Sequence, residues 1–161
     1  GPYHVDSLMR IPLIWRPAPS AGVAPATVDA PVGHVSLAST FCHIAGLARP
    51  EYAEADRLPV DDVEARTLGH ERVLTEWDSV LFGKILHMRT ICRDGWIATA
   101  CLPGTLHDGH EGELYNLADD PLQRVNLWDD PAHRATRDDL IADLWDHLPD
   151  AVDRRSVDAP V

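Results

Sequence analysis

Residues Leu86-His-Met-Arg-Thr-Ile-Cys-Arg-Asp-Gly-Trp-Ile-Ala-Thr-Ala-Cys-Leu102 read as two strands joined by a tight turn. Asp94-Gly95 is a residue pair that a two-residue hairpin favours, because both central positions of a type I′ turn take positive φ. With that turn fixed, the period of two places Cys92 opposite Ile97 and Cys101 opposite Met88. Met88, Thr90, Cys92, Ile97, Thr99 and Cys101 then share one face, and Arg89, Arg93 and Trp96 share the other. The uncharged face is expected to cover a core. The same register separates Cys92 from Cys101 by four residues, about 13 Å at ~3.3 Å per residue. A disulfide requires Cα atoms within about 7 Å, so these two thiols stay apart.

Outward from the hairpin, Arg72 to Trp77 and Glu113 to Leu117 add β segments to an antiparallel sheet. Asp130-Pro131 sets a capping carboxylate before a proline at the first helical position. The stripe Leu140, Ile141, Leu144, Trp145 and Leu148 follows at helical spacing, with Pro149 as its stop. Towards the N-terminus, the apolar run between Arg10 and Arg16 predicts a buried strand of a mostly parallel sheet, with Pro12 at its start. Residues 17 to 31 are rich in Pro, Ala, Ser and Gly and predict an extended surface loop. A helix is expected next, with Ser36 as N-cap, Leu37, Phe41 and Ile44 as its apolar stripe, and Gly46 as the left-handed residue past its end. Residues 48 to 70 show no sustained period and read as an irregular connection. The chain therefore divides near residue 65 into 1–64 and 65–150, with 151–161 as a flexible tail.

Length and a hydrophobic content of 45% place the chain among globular proteins. Asp and Glu number 26 against 14 Lys and Arg, a net charge of -12. That balance repels phosphate backbones and anionic lipid surfaces, so neither a nucleic-acid partner nor a membrane partner is expected. No apolar run approaches the ~20 residues that span a bilayer, and residues 1–10 lack the sections of a signal peptide. Gly1 opens the chain and Met9 stands immediately before a strand-like run, so an upstream portion is expected. A cytoplasmic location is weakly favoured by the cysteine usage, since Cys42, Cys92 and Cys101 are too few and too odd in number for a disulfide framework.

The residues that could carry chemistry do not assemble into a site. Among nine histidines the tightest cluster is His107-Asp-Gly-His110, but no second ligand pair stands beside it, and Asp-Gly between polar residues is ordinary turn chemistry. His34 and His43, nine residues apart, turn to nearly opposite faces of a helix. There is no G-x-S-x-G elbow, no Gly-rich phosphate loop and no catalytic cysteine signature. Asp138, Asp139 and Asp143 alternate with the apolar stripe and read as a solvated helix face. Neither catalytic nor metal-binding residues are assigned.

Two stretches carry a resemblance. Glu113-Leu-Tyr-Asn-Leu-Ala-Asp-Asp-Pro121, continued by Val125-Asn-Leu127, resembles the E-L-Y-D-L-x-x-D-P-x-E-x-x-N-L signature near the end of many sulfatases. Its physics is that of a strand, a turn set by Asp119, Asp120 and Pro121, and an Asn whose amide can tie the loop down. Position 123 is Gln where the family often has Glu. Gly1-Pro-Tyr-His-Val-Asp-Ser-Leu-Met-Arg-Ile-Pro-Leu-Ile14 is similar to the sulfatase segment that follows an active-site lysine and ends in R-V-P-L-I. The stretch His34 to Thr40 with Ala45-Gly46 resembles the family's V-D-L-x-P-T-L-L-D-L-A-G helix, with Ser36 in place of Asp and Ser39 in place of Pro. The likeness runs colinearly from residue 1 to about 148.

The resemblance implies the end of an alkaline-phosphatase-like α/β domain followed by a small antiparallel sheet with a C-terminal helix. It also implies a sulfuric ester hydrolase with a formylglycine nucleophile and calcium, neither supplied by this stretch, whose partners would be the missing N-terminal catalytic domain and a small sulfate-ester substrate. Tyr3 and His4, next to the position of the family's lysine, are the substrate-binding candidates, and Arg10 is read as structural. An exposed strand edge over residues 10–16 would promote self-association into a homo-oligomer. Two rivals stay open: the same region of a phosphodiester or phosphonate monoester hydrolase, and a non-catalytic binding or assembly module.

Overall fold

The computed structural model describes residues 3–148, so the tail expected over 151–161 and the helix stop at Pro149 lie outside the described residues. Two compact units are present. One is Pro12–Val73, and the other joins the residues before Pro12 to those from Leu74 onward. The residues before Pro12 thus group with the sheet. Long-range hydrogen bonds account for this, since His4 and Asp6 are bonded to Thr90 and Gln123.

In the sheet unit, β1 (Arg72–Leu81), β2 (Lys84–Arg93), β3 (Trp96–Leu102) and β4 (Gly112–Asn116) lie side by side in chain order. Asp94 and Gly95 take φ of +52° and +77°, as the two-residue turn requires. Cys92 faces Ile97 and Met88 faces Cys101, the predicted register. All three cysteines are free.

The expected core face is buried, with Met88, Ile97 and Cys101 among the core residues, but it is not the only one. The apolar cluster that packs under the last helix, α4 (Arg134–His147), is Ile91, Ala98, Ala100 and Leu114 with Leu140 and Leu144, which lies on the face of Arg89, Arg93 and Trp96. Charge on that face does not mean solvent. Arg93 is bonded to Asp139 and Asp143 of α4, and Arg89 makes a bidentate pair with Asp78. Two of the helix carboxylates read as solvated thus meet a strand arginine. The other face is buried as well, with Thr90, Ile97 and Thr99 no more than 1% exposed. Asp130 caps the turn that leads into α4 by accepting from the Ala132 N–H at 2.9 Å, with Pro131 behind it.

Within Pro12–Val73 the expected strand over residues 10–16 is absent. Ile11, Leu13 and Ile14 are 52, 50 and 93% exposed. Pro12 and Pro17 each remove a donor, and among the described residues no strand pairs with this run. The helix α2 (Leu37–Ile44) forms where expected, but with its stripe reversed. Phe41 and Ile44 are exposed, while Ser36, Ser39 and Thr40 are buried. The hydroxyls find partners inside. Ser39 Oγ donates to the Ala55 carbonyl at 2.5 Å, and Thr40 Oγ1 donates to the Ser36 carbonyl at 2.7 Å while accepting from the Leu58 N–H at 2.8 Å. Ser36 occupies the N-cap position without capping, its hydroxyl lying 3.2 Å from His70 Nε2. Gly46, at φ +69°, closes the helix: its N–H donates to the His43 carbonyl and that of Leu47 to the Cys42 carbonyl.

A further helix, α3 (Asp62–Leu68), rises in the stretch read as irregular. Asp61 Oδ1 accepts from the N–H groups of Val63 and Glu64, both at 2.9 Å. Glu64 sits three residues past that cap, the spacing of a capping box, and this pair is the sequence signal for the helix. Its carboxylate is forked by Arg57 at 2.7 Å on each oxygen, which holds Glu64 below its usual carboxylate range.

Candidate functional site

The two substrate-binding candidates separate in the structure. Tyr3 is 68% exposed, whereas His4 is 3% exposed, on the face of the sheet opposite α4. The imidazole Nδ1 lies 2.7 Å from Thr90 Oγ1, which in turn lies 2.8 Å from Thr99 Oγ1 on the facing strand. Thr90 and Thr99 are register partners, so the two hydroxyls meet as a cross-strand pair. Two residues on, the Asp6 N–H donates to Gln123 Oε1 at 2.7 Å, which ties the start of α1 (Asp6–Met9) to the loop after β4. Gln123 takes φ of +50° to reach it. The departure from the signature at position 123 therefore bears on this anchoring contact.

Electrostatics on this face favour neutral groups. Burial pushes the His4 imidazole down to about 4 and the Cys101 thiol up to about 11, and it raises Cys92 and Glu113 as well. A buried thiol with a raised pKa holds little thiolate and makes a poor nucleophile. What the face offers is a hydrogen-bonded interior, with no nucleophile activated by a base among the described residues.

A second polar cluster was not foreseen. Asp78 of β1 accepts from Arg89 through both oxygens at 2.9 Å, and His87 Nδ1 lies 2.9 Å from Asp78 Oδ1. Arg89 is fully buried and Asp78 nearly so. The signal in the sequence was alternation: His87, Arg89 and Arg93 recur at period two on one face of β2. Asp78 is thus engaged by two neighbouring side chains of β2.

The signature stretch supplies the loop tie that its residues predict. Asn126 Oδ1 accepts from the N–H groups of Leu114 and Trp128 at 2.9 and 3.0 Å, and Asn126 Nδ2 donates to the Gly112 carbonyl at 2.9 Å. Asp120 Oδ2 accepts from the N–H groups of Arg124 and Val125 at 2.6 and 2.9 Å. Asn116 and Asp119 close the turn between them at 2.7 Å. Asn126→Ala should lower stability by about 1 kcal/mol, because three bonds are lost at a partly solvated site. Urea unfolding checks this; an unchanged midpoint would show that water replaces the amide without cost.

The His107 to His110 loop is built by Glu111, whose carboxylate accepts from the N–H groups of Asp108 and Gly109 at 3.0 and 3.2 Å. Among the described residues no three His, Cys, Asp or Glu side chains stand together as a metal ion would need. The calcium and formylglycine that the resemblance implies thus find no ligand set and no nucleophile motif in these residues.

No family model and no curated protein matches the sequence. Solved structures do. The chain is similar to a 2-O GAG sulfatase, at 28% identity and a TM-score of 0.55, over 66% of this chain and 22% of that one. A structure in complex with its substrate D-glucosamine-2-N,6-O-disulfate shares the fold, at 16% identity and a TM-score of 0.54, over 71% of this chain and 25% of that one. The chain thus spans about a quarter or less of the length of these structures. The chain is similar to the sulfatases of the alkaline-phosphatase-like fold over their C-terminal part.

Proposed function

We propose that this chain forms, within a longer polypeptide, the C-terminal part of a sulfuric ester hydrolase. The observation that carries the reading is the likeness to the 2-O GAG sulfatase at 28% identity and a TM-score of 0.55, which stands beside the signature resemblance from Glu113 to Leu127. Formylglycine and calcium belong to the upstream portion in this reading, since the described residues offer no ligand set for a cation. When bound there, the cation would offset charge on the transferring sulfuryl group. The contribution of this chain is positional. Tyr3, exposed beside the place of the family's lysine, is the contact proposed for a sulfate-ester substrate, and His4 fixes the segment from inside.

Expressing the complete reading frame that contains this chain and assaying it with an aryl sulfate and a sulfated disaccharide, plus calcium, tests the proposal. Turnover of sulfate esters is expected from the whole polypeptide and none from the chain alone, because proximity and electrostatics cannot act without nucleophile and ion. Turnover of phosphodiesters or phosphonate monoesters in preference to sulfates would move the chain to the related hydrolases. A reading frame without a nucleophile motif, and without turnover, would make it a binding module.

A further inference from the structure

The hydrogen bonds of residues 4–6 cross a large distance in sequence. His4 Nδ1 meets Thr90 Oγ1 across 86 residues, and the Asp6 N–H meets Gln123 Oε1 across 117. At 3% exposed, the imidazole is enclosed between its own segment and a sheet face whose Thr90 and Thr99 are no more than 1% exposed. We propose that His4 is a proton-sensitive latch: neutral, it ties the N-terminal segment to the sheet through Thr90, and protonated, it frees that segment.

Among the described residues, the groups around it supply no compensation for a proton. Burial is the main cause, and Arg89, behind the same strand, adds positive charge near the ring, so that the imidazole is pushed down to about 4 from 6.5. On the same sheet face, Cys92, Cys101, Glu113 and Tyr115 are all raised by burial, the direction that keeps each of them neutral. Asp6, on the segment itself, is engaged by Arg10 at 3.0 Å. Thr90 can accept from the ring, but its hydroxyl also meets Thr99, so an imidazolium would bring an uncompensated charge into a neutral interior.

The sign follows from linkage. A freed histidine binds its proton near 6.5 and the latched one near 4, so the freed state holds more protons between those values and the latch weakens as pH falls through that window. The ratio of opening constants between pH 5 and pH 8 is about thirtyfold on these two values. Native-state hydrogen exchange on the chain reads this directly. From pH 8 to pH 5, after correction for intrinsic exchange, the protection of the Asp6 amide should fall about thirtyfold. The Leu114 amide, bonded to Asn126 Oδ1, should hold its protection over the same range. In His4→Gln the Asp6 amide should lose its pH dependence. Should that variant fail to fold, the His4 imidazole resonance of the parent, followed by NMR, decides the matter. Titration near 6.5 overturns the latch, as does equal protection of Asp6 at the two pH values or a parallel fall at Leu114. Ester hydrolysis plays no part in this measurement, so the latch and the sulfatase reading can fail separately.

Discussion

Leu144→Ala should lower the unfolding free energy of the sheet unit by roughly 2–5 kcal/mol. Leu144 is 0% exposed and sits with Leu140 in the cluster that joins α4 to Ile91, Ala98, Ala100 and Leu114. Truncation removes buried methyl groups and leaves a cavity between a helix and a sheet that both carry fixed ion pairs, from Arg93 to Asp139 and Asp143. Those pairs restrain α4 from settling into the gap, which places the expected cost in the upper half of the range. Urea unfolding followed by tryptophan fluorescence measures it, with Asp146→Ala on the exposed side of α4 as the comparison, expected within about 0.5 kcal/mol of the parent. A loss below 1 kcal/mol for Leu144→Ala would mean that the helix collapses onto the sheet despite the pairs.

That helix was legible because its stripe, its cap at Asp130 and its proline at 131 are local features with one consistent meaning. The hairpin was legible for the same reason, since Asp94-Gly95 fixes register and register fixes every facing pair. That the opposite face, which carries the arginines, is buried as well was not. Face assignment from charge assumes that a strand arginine points to water, but Arg89 and Arg93 find carboxylates on β1 and α4, and those partners lie 11 to 50 residues away in sequence. A period of two sorts residues into faces without saying what covers each face.

The same limit explains α2, where the period of Leu37, Phe41 and Ile44 was read correctly and its direction was not. Serine and threonine hydroxyls turn inward because Ala55 and Leu58 offer backbone partners, a fact of tertiary contact that no spacing within the helix records. The run from Arg10 to Arg16 shows the converse. Its composition suits a buried strand, but a strand exists only where a neighbour accepts its hydrogen bonds. His4 was singled out through resemblance alone. Its burial and its bond to Thr90 depend on a contact across 86 residues, and the Thr90–Thr99 pair that receives it was visible only as two polar positions on a face expected to cover a core.

Gly112→Ala should cost roughly 1–3 kcal/mol, although its backbone demands no glycine. The obstacle is space. A Cβ at Gly112 would lie 2.5 Å from the Thr99 carbonyl oxygen and 2.5 Å from the nearest atom of the Trp128 ring. The carbonyl belongs to β3 and cannot retreat without breaking the pairing of Ala100 with Gly112. The ring is held on two sides, its Nε1 donating to the His110 carbonyl at 3.2 Å and its face lying 5.3 Å from the Arg137 guanidinium. Gly95→Ala makes the contrast, since there a Cβ meets nothing within 4 Å and the cost comes from φ of +77° alone, about 1 kcal/mol. A double-mutant cycle separates the two mechanisms. Removing the ring by Trp128→Ala should recover at least 0.5 kcal/mol of the Gly112→Ala loss while leaving the Gly95→Ala loss unchanged. Strict additivity at Gly112 would place the whole obstacle on the Thr99 carbonyl, and the indole would then be a bystander to the close approach of β3, β4 and the signature loop.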